Sequence, residues 1–475
     1  MTDAERAVTR SVLERKKRLR DRSFSAPRPQ QPVKKLRADH PLTNTVICAC
    51  LLGVPLVFAA KKGKLNDAFD ENKVWVLAVS VVGLIIGQTF EAVLLPLLLS
   101  CVFHPASMGL TTQAAASLPL IGGYWQQINI VHHFSGGLIP ALPIHLLLTG
   151  ILRYIAKTSL TGTECTLIAG GLCCLLLDFG NKLYQAVLIC GLLPFGATAV
   201  YLRRYISILM KRRPDNDKQL MNRLAINCYV AYLSSASVLF FYYLYHTGRF
   251  VEFFSLIGQG APALGWWVLC FSVALLVAAY MLKGTSTMLD SRRKLWHVTV
   301  VFMFWNNSRS NVAPVALAVA IVLFLVCEAM RAAALPPFGK FLHEALRSFV
   351  DHRDTCGPLV ISHIYLLTGI AWPIFIAGDS LACSRAGLIC LGLGDTLASQ
   401  IGKRYGRLRL FGHKSLEGTI GFFLVAAVGL KLSQVPNKPA ILVAFATALL
   451  EATSVINDNL VLPSYMVAIL KLLDA

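Results

Sequence analysis

The chain contains 475 residues, of which 55% are hydrophobic and 15% are charged. Soluble globular domains have about 45–50% apolar and about 25% charged residues, so a soluble fold could not cover this much apolar surface. The 45 basic and 25 acidic residues give a net charge of +20. The basic residues lie between apolar runs rather than in a polar domain. This pattern indicates anionic lipid headgroups or a phosphorylated substrate and argues against nucleic-acid binding.

The first 43 residues are predicted to form a basic, disordered, cytosolic tail. Residues 1–40 hold 12 Lys or Arg and five acidic residues, and they contain no apolar segment that would serve as a cleavable signal. The run Arg-Lys-Lys-Arg at 15–18 also has the composition of a nuclear or nucleic-acid-binding segment. The 13 cysteines lie mostly inside apolar runs, and we interpret them as small buried hydrophobic residues.

From Thr45 onwards, apolar runs alternate with short polar segments, which predicts an all-α, polytopic integral membrane protein. Several runs are shorter than the ~20 residues that a membrane helix needs, so we expect some broken, tilted or re-entrant helices and about 13–15 transmembrane helices in total. We divide this part into an N-terminal multi-span region, 44–282, and a C-terminal membrane-embedded region, 283–475. The predicted spans are 45–60, 74–102, 106–121, 138–156, 164–179, 184–201, 224–246, 264–282, 296–305, 312–330, 358–377, 384–400, 418–432, 439–456 and 460–473.

Three loops between these spans are clearly basic: 203–223, 283–294 and 402–414. Because Lys and Arg concentrate in the cytoplasmic loops of membrane proteins, we expect all three loops on the cytosolic side. Before residue 281 only single ionisable residues lie near or within the predicted spans, so the chemistry is expected in the C-terminal region.

The densest polar stretch extends from Leu391 to Thr419. Its glycines allow close approach of the backbone to a phosphate, amide groups at a helix start bind the anion, and Lys414 supplies the opposite charge. The spacing differs from a Walker A loop, which requires four residues between its glycines and a lysine directly after the second. Asp395 is suited to hold Mg²⁺ or to orient a hydroxyl nucleophile, with Ser399 one helical turn away; a helix N-cap is the alternative role.

Two further clusters add charged groups. Arg293 and Lys294 precede His297 by four and three residues, so the three side chains are expected to share one helix face that suits a phosphate. A membrane-interface anchor is the alternative. Glu451 and Asp458 are seven residues apart in apolar sequence. We expect them on one face of a single helix, where two buried carboxylates are costly without a cation.

In their order and spacing, these motifs resemble the dolichol kinase family, within the larger group of CTP-dependent polyprenol, phytol and diacylglycerol kinases. The resemblance covers about residues 285–470. It is carried by Arg293-Lys294-x-x-His297, Asp354-x-x-Gly357-Pro358, His363-Ile364-Tyr365-Leu366-Leu367, Gly394-Asp395-Thr396-x-Ala398-Ser399, Lys414-Ser415-x-Glu417-Gly418-Thr419 and Asp458-Asn459-x-x-x-Pro463.

The resemblance implies a multi-pass enzyme of the endoplasmic reticulum membrane that transfers the γ-phosphate of CTP to dolichol, giving dolichyl phosphate and CDP. Dolichyl phosphate carries sugars for N-glycosylation, mannosylation and GPI-anchor synthesis. The family's CTP site corresponds to about Arg407–Gly421 and faces the cytosol. The expected partners are therefore dolichol, CTP and the bilayer, with no nucleic acid.

From the residues and the resemblance together we expect three sets of site residues. The catalytic set is Asp395, Lys414, Asp458 and His297. The nucleotide-binding set is Arg293, Lys294, Ser399, Lys403, Arg407, Gly412, Lys414, Ser415, Glu417, Gly418 and Thr419. The divalent cation, expected to be Mg²⁺, is assigned to Asp395, Asp458 and Glu417. The alternatives are another CTP-dependent lipid enzyme, such as a phytol or diacylglycerol kinase or a CDP-diacylglycerol synthase, and a membrane transporter.

Overall fold

A computed structural model describes residues 138–156, 159–161, 164–165, 168–169, 182–209, 218–283, 289–347, 357, 359–410, 414–454 and 457–473. Within these ranges all regular secondary structure is helical, apart from one isolated bridge between Arg409 and Ser415. The prediction of an all-α fold is confirmed. The tail 1–43 and the predicted spans 45–60, 74–102 and 106–121 lie outside the described residues.

The described residues form thirteen α-helices and one π-helical segment. In chain order they are α1 (Leu138–Ala156), α2 (Leu183–Leu209), α3 (Lys218–Thr247), α4 (Phe250–Lys283), α5 (Leu289–Phe304), α6 (Val312–Ala332), α7 (Gly339–Arg347), α8 (Ser362–Ile376), α9 (Leu381–Gly387), the π segment (Leu388–Asp395), α10 (Thr396–Tyr405), α11 (Leu416–Leu432), α12 (Asn437–Thr453) and α13 (Asp458–Leu472).

Five helices in the described part of the chain are long and apolar enough to cross a membrane. They are Leu183–Leu202, Leu220–Thr247, Phe250–Met281, Val312–Ala332 and Leu381–Tyr405. The prediction of a polytopic membrane protein is therefore confirmed. The total of 13–15 spans and the division at residues 43 and 282 stay predictions.

Most helices begin and end near the predicted bounds, but α4 begins at Phe250, well before residue 264. Gly258, Gly260 and Pro262 lie outside the predicted span 264–282. In a membrane, however, backbone groups must bond within the helix, and neighbouring helices compensate for a proline, so the helix continues through Pro262.

The long helix Leu381–Tyr405, made of α9, the π segment and α10, is central to the bundle. In the most apolar part of this helix 72% of the residues are buried, whereas the corresponding share is 17% in α3 and in α4. The π segment packs against α5, α8, α11 and α13. Exposed apolar side chains on α3 and α4, such as Val251 and Leu276, are those expected at a lipid-facing surface.

Contacts between helix ends define two opposite ends of this bundle. Lys294 near the start of α5 meets Asp395, while Trp305, just beyond the other end of α5, meets Arg385 near the start of α9. Arg385 also reaches Leu432 at the end of α11. The starts of α5, α11 and α13 therefore lie at the same end as the last turns of the π segment and α12.

Candidate active site

Asp395, at the last position of the π segment, is held by two residues of α5. The Lys294 ammonium group pairs with its carboxylate and also donates to its backbone carbonyl at 3.2 Å. His297 Nδ1 lies 3.5 Å from the same carboxylate oxygen. The predicted shared face of Lys294 and His297 is thus present, and it is directed at Asp395. Arg293, the third member of that predicted face, is half-buried.

The neutral tautomer of His297 follows from its neighbours. Its Nδ1 lies 2.9 Å from the carbonyl oxygen of Leu391, and a carbonyl oxygen only accepts hydrogen bonds. Nδ1 therefore carries the hydrogen, and Nε2 of the neutral ring holds the free lone pair. The imidazole is buried, so its orientation is set by the π segment rather than by water.

The π segment brings α5 and Asp395 close together. A π-helix bonds each amide one residue further back than an α-helix, and such segments often occur at functional sites. Gly392 faces α5, where an added Cβ would overlap Val301 Cγ2 and lie 3.3 Å from the His297 carbonyl oxygen. The absence of a side chain at Gly392 therefore permits the approach that places Lys294 beside Asp395.

Lys414 organises a second group of charges. Its ammonium pairs with the Glu451 carboxylate and lies 3.0 Å from Asp458 Oδ2. Burial disfavours the charged ammonium, but Asp458 and Glu451 outweigh that cost, so the pKa of Lys414 is raised above its ordinary value. Lys414 is therefore a fixed cation at any physiological pH.

The prediction that Glu451 and Asp458 share one helix was wrong. α12 ends at Thr453 and α13 begins at Asp458, with Asn457 as the N-cap whose side chain accepts from the Asn459 amide. The two carboxylates come together across the turn between the helices, and Lys414 is the cation that offsets their burial. Glu451 is absent from the three predicted sets of site residues, although its position in apolar sequence paired it with Asp458.

The two charged groups belong to one site, because Asp395 also interacts electrostatically with Lys414 and Glu451. Two ammonium groups face three carboxylates there. The side chains of Asp395, Lys414 and Asp458 keep 27%, 32% and 18% of their surface exposed, whereas Glu451 keeps only 5%. The site is therefore accessible from the starts of α11 and α13, with Glu451 beneath it.

The start of α11 is already well bonded. Ser415 is the N-cap, and its hydroxyl accepts from the Gly418 amide at 3.2 Å. The Leu416 amide donates to the Leu408 carbonyl, and the Thr419 amide donates to the Ser415 carbonyl. The predicted phosphate cradle of backbone amides at Ser415–Thr419 would therefore have to exchange these partners, and it stays a prediction.

Glu417 lies beside this helix start rather than beside the charged groups. Its carboxylate accepts from the backbone amides of Arg407 and Leu408, at 2.9 and 3.1 Å for Oε1. These hydrogen bonds, that from Arg407 foremost, hold the pKa of Glu417 below its ordinary value. The structure thus gives Glu417 a part in shaping the loop before α11.

Three other predicted nucleotide-binding residues lie on α10 or just after it. Ser399 on α10 is half-buried, and Lys403 and Arg407 are exposed. Gly412 and the motif residues Asp354 and Pro358 lie outside the described residues. The structure thus brings Lys294, His297, Asp395, Lys414 and Asp458 together.

The carboxylates fit a hard divalent cation. Mg²⁺ takes oxygen ligands and is usually held by one or two carboxylates together with water and phosphate oxygens. Asp458 Oδ1 is buried without a hydrogen-bond partner in the described part of the chain, and Asp395 lies on the same site. No group of three or more His, Cys, Asp or Glu side chains converges as a metal site within the described ranges. Asp395 and Asp458 together thus suit a cation that takes its remaining ligands from a substrate.

The fold and the site together define a polytopic, all-helical membrane protein with a charged site at the bundle end. The chain is similar to curated proteins named dolichol kinase. It is 34% identical to dolichol kinase sec59 of Schizosaccharomyces pombe over 233 residues, which are 44% of this chain and 46% of that protein. It is 37% identical to dolichol kinase of Saccharomyces cerevisiae over 210 residues, 42% of this chain and 40% of that protein. It is 30% identical to the Homo sapiens protein over 237 residues, 44% of each chain.

The predicted resemblance to dolichol kinases is confirmed by these relatives. The chain spans less than half the length of each of them in the matched region. No family model matches the sequence, and no solved structure matches it.

Proposed function

We propose that this protein is a dolichol kinase, which transfers the γ-phosphate of CTP to dolichol and releases dolichyl phosphate and CDP. The observation that carries the proposal is the pairing of Lys294 with Asp395 and of Lys414 with Asp458 in one site. Phosphoryl transfer requires positioned cations and a carboxylate more than covalent chemistry, and this site holds both. The similarity to curated dolichol kinases supports the choice of acceptor.

The paired charges suit a nucleotide that arrives with a divalent cation. Without nucleotide, each lysine neutralises a carboxylate that would otherwise be costly to bury. When a triphosphate binds, Lys294 and Lys414 are free to turn to phosphate oxygens, and Asp395 and Asp458 are the residues that would hold Mg²⁺. The cation supplies charge neutralisation on the phosphate oxygens.

Asp395 is best placed to receive the proton of the dolichol hydroxyl. In the transfer, the hydroxyl oxygen forms a bond to the γ-phosphorus while the bond from that phosphorus to the β-phosphate oxygen breaks. The hydroxyl proton passes to the Asp395 carboxylate, and the bond electrons leave with CDP. His297 orients Asp395, and Lys294 and Lys414 stabilise charge on the phosphates.

The site's place at a bundle end suits a lipid substrate. The isoprenoid chain stays in the bilayer beside the apolar helices, and only the hydroxyl group has to reach the charged residues. The basic loops 203–223, 283–294 and 402–414 are predicted to be cytosolic, so CTP would come from the cytosol. The proposed location is the endoplasmic reticulum membrane, where dolichyl phosphate serves N-glycosylation, mannosylation and GPI-anchor synthesis.

The test is transfer of label from γ-labelled CTP to dolichol by purified protein in detergent or liposomes. The wild-type chain is expected to give labelled dolichyl phosphate, and Asp395→Asn is expected to lower the rate at least ~100-fold. Asp379→Asn is the matched control, because Asp379 is exposed in the turn before α9, at the opposite end of the bundle. A labelled phytol or diacylglycerol product, or a cytidylyl-lipid, would contradict the proposal.

A further inference from the structure

Arg385 is a buried cation ten residues before Asp395 on the same continuous helix. The residue is 8% exposed, and its guanidinium lies 4.5 Å from the centre of the Trp305 ring. In the described part of the chain, no carboxylate pairs with it. A buried arginine without a carboxylate requires another source of negative charge.

The ends of two other helices supply that charge. Arg385 Nε donates to the Trp305 carbonyl at 2.9 Å, directly after α5, and its Nη1 donates to the Leu432 carbonyl at 3.1 Å, the last residue of α11. Each helix C-terminus carries the equivalent of about half a negative charge, so two of them together offset about one positive charge. The planar guanidinium suits this role because it presents several donors in a fixed fork.

The end of α5 is fixed from a second side as well. The indole groups of Trp266 and Trp267 on α4 donate to the carbonyls of Phe302 and Met303 at 2.9 and 2.8 Å. Carbonyls at a helix end lack partners within the helix, and in a membrane each needs one. Together with Arg385, the two tryptophans set the position of α5 along its axis.

The three helices joined by Arg385 carry the charged site at their other ends. α5 carries Lys294 and His297, α11 begins directly after Lys414 and Ser415, and the helix of Arg385 itself carries Asp395. Ten helical residues correspond to about 15 Å. A shift of α5 or α11 at the Arg385 end would therefore move Lys294 or Lys414 relative to Asp395.

We infer that Arg385 is a positioning residue for the charged site: by joining the C-termini of α5 and α11 to the start of the Leu381–Tyr405 helix, it sets the relative axial positions of Lys294, Asp395 and Lys414. The inference rests on the proposed function for its kinetic test. Its geometric content is independent of which reaction the site performs.

The test compares Arg385→Gln, Arg385→Lys and Lys431→Gln. Lys431 lies in the last turn of α11 and is exposed, so its replacement removes a nearby positive charge without touching the carbonyls held by Arg385. A 1 Å misplacement of catalytic groups costs about 100-fold in rate, so Arg385→Gln should lower kcat per folded molecule about 10- to 100-fold. Lys431→Gln should remain within about twofold of wild type.

Arg385→Lys keeps the charge but not the fork, and an intermediate kcat is expected. If Arg385→Gln does not fold, Arg385→Lys provides the kinetic test in its place. A purely structural role would reduce the folded fraction while leaving kcat per folded molecule unchanged, and that result for both variants would overturn the inference.

Amide hydrogen exchange supplies a readout that needs no enzymatic activity. In an Arg385 variant, faster exchange is expected at 300–305 and 428–435, and also at 290–297 beside the site. Faster exchange confined to the Arg385 end would overturn the inference. If wild-type protein transfers no phosphate to dolichol, the proposed function fails, while the exchange experiment still decides whether Arg385 controls the site.

Discussion

Two carboxylates share the ammonium group of Lys414, but they differ in burial and in free oxygens. The Glu451 side chain is 5% exposed, whereas Asp458 is 18% exposed and has one oxygen without a hydrogen-bond partner in the described part of the chain. A cation needs a carboxylate oxygen that no other group already occupies, and Asp458 Oδ1 is such an oxygen. Asp458 is therefore assigned to Mg²⁺, and Glu451 to holding Lys414 in place.

This difference predicts separate effects of Asp458→Asn and Glu451→Gln. Asp458→Asn should raise the Mg²⁺ concentration for half-maximal rate at least about 10-fold, because an amide is a weaker ligand than a carboxylate. Glu451→Gln should leave that concentration within about twofold and should lower the free energy of unfolding by about 1.5–3 kcal/mol, because Lys414 loses a charged hydrogen-bond partner and keeps Asp458. Rates measured over a Mg²⁺ titration, together with thermal unfolding, test both. An equal change in Mg²⁺ requirement for the two variants would contradict the assignment.

Local spacing predicted part of this site and missed another part. Lys294 and His297 are one helical turn apart, so their common face followed from the helix period alone. The partners of Lys414 are 37 and 44 residues away, at the end of one helix and the start of the next. The helix period cannot predict the contacts of Lys414 with these residues, because they depend on how α11, α12 and α13 pack.

At the scale of helices, apolar runs predicted most bounds because a helix in a membrane must be apolar over its whole length. The predicted bounds were less accurate at the start of α4 and at the end of α12. α4 continues through Pro262, and the predicted span 439–456 extends beyond the real end of α12 at Thr453. The π segment was also not predicted, because Leu388–Asp395 has the same composition as an ordinary apolar helix.

The contact between the π segment and α5 gives an element-scale prediction. Gly392→Ala should lower the free energy of unfolding by about 1–3 kcal/mol and reduce activity, because the new Cβ overlaps Val301 Cγ2 and forces α5 away from Asp395. Val301→Ala removes that methyl and leaves its Cβ 3.7 Å from the added carbon, an ordinary contact. The double variant should therefore be more stable and more active than Gly392→Ala alone.

Thermal unfolding and the dolichol assay on the two single variants and the double variant measure this coupling. Val301→Ala alone is the control for the loss of its own packing. If the two effects simply add, the overlap is not the cause of the loss, and the role given to Gly392 is wrong.

At the scale of the whole molecule, helix direction predicts which loops share a side. α11 begins next to the charged site at Lys414 and ends at Leu432, which is bonded to Arg385 at the opposite end. Its 17 residues are about 25 Å long, close to the thickness of a bilayer core. The loop before α11 and the turn after it are therefore expected on opposite sides of the membrane, with the basic loop 402–414 in the cytosol.

Single cysteines on either side of α11 test this arrangement. Arg409, which lies within the segment predicted to bind CTP, and Lys438 are both exposed. In sealed, right-side-out microsomes, Arg409→Cys should react with a membrane-impermeant maleimide above the wild-type background, because its basic loop is predicted to face the cytosol. Lys438→Cys should react only after permeabilisation, since the predicted span 418–432 within α11 would place it on the other side of the bilayer. Reaction of both cysteines in sealed microsomes would mean that α11 does not span. Reaction of Lys438→Cys alone would place the charged site on the lumenal side, out of reach of cytosolic CTP.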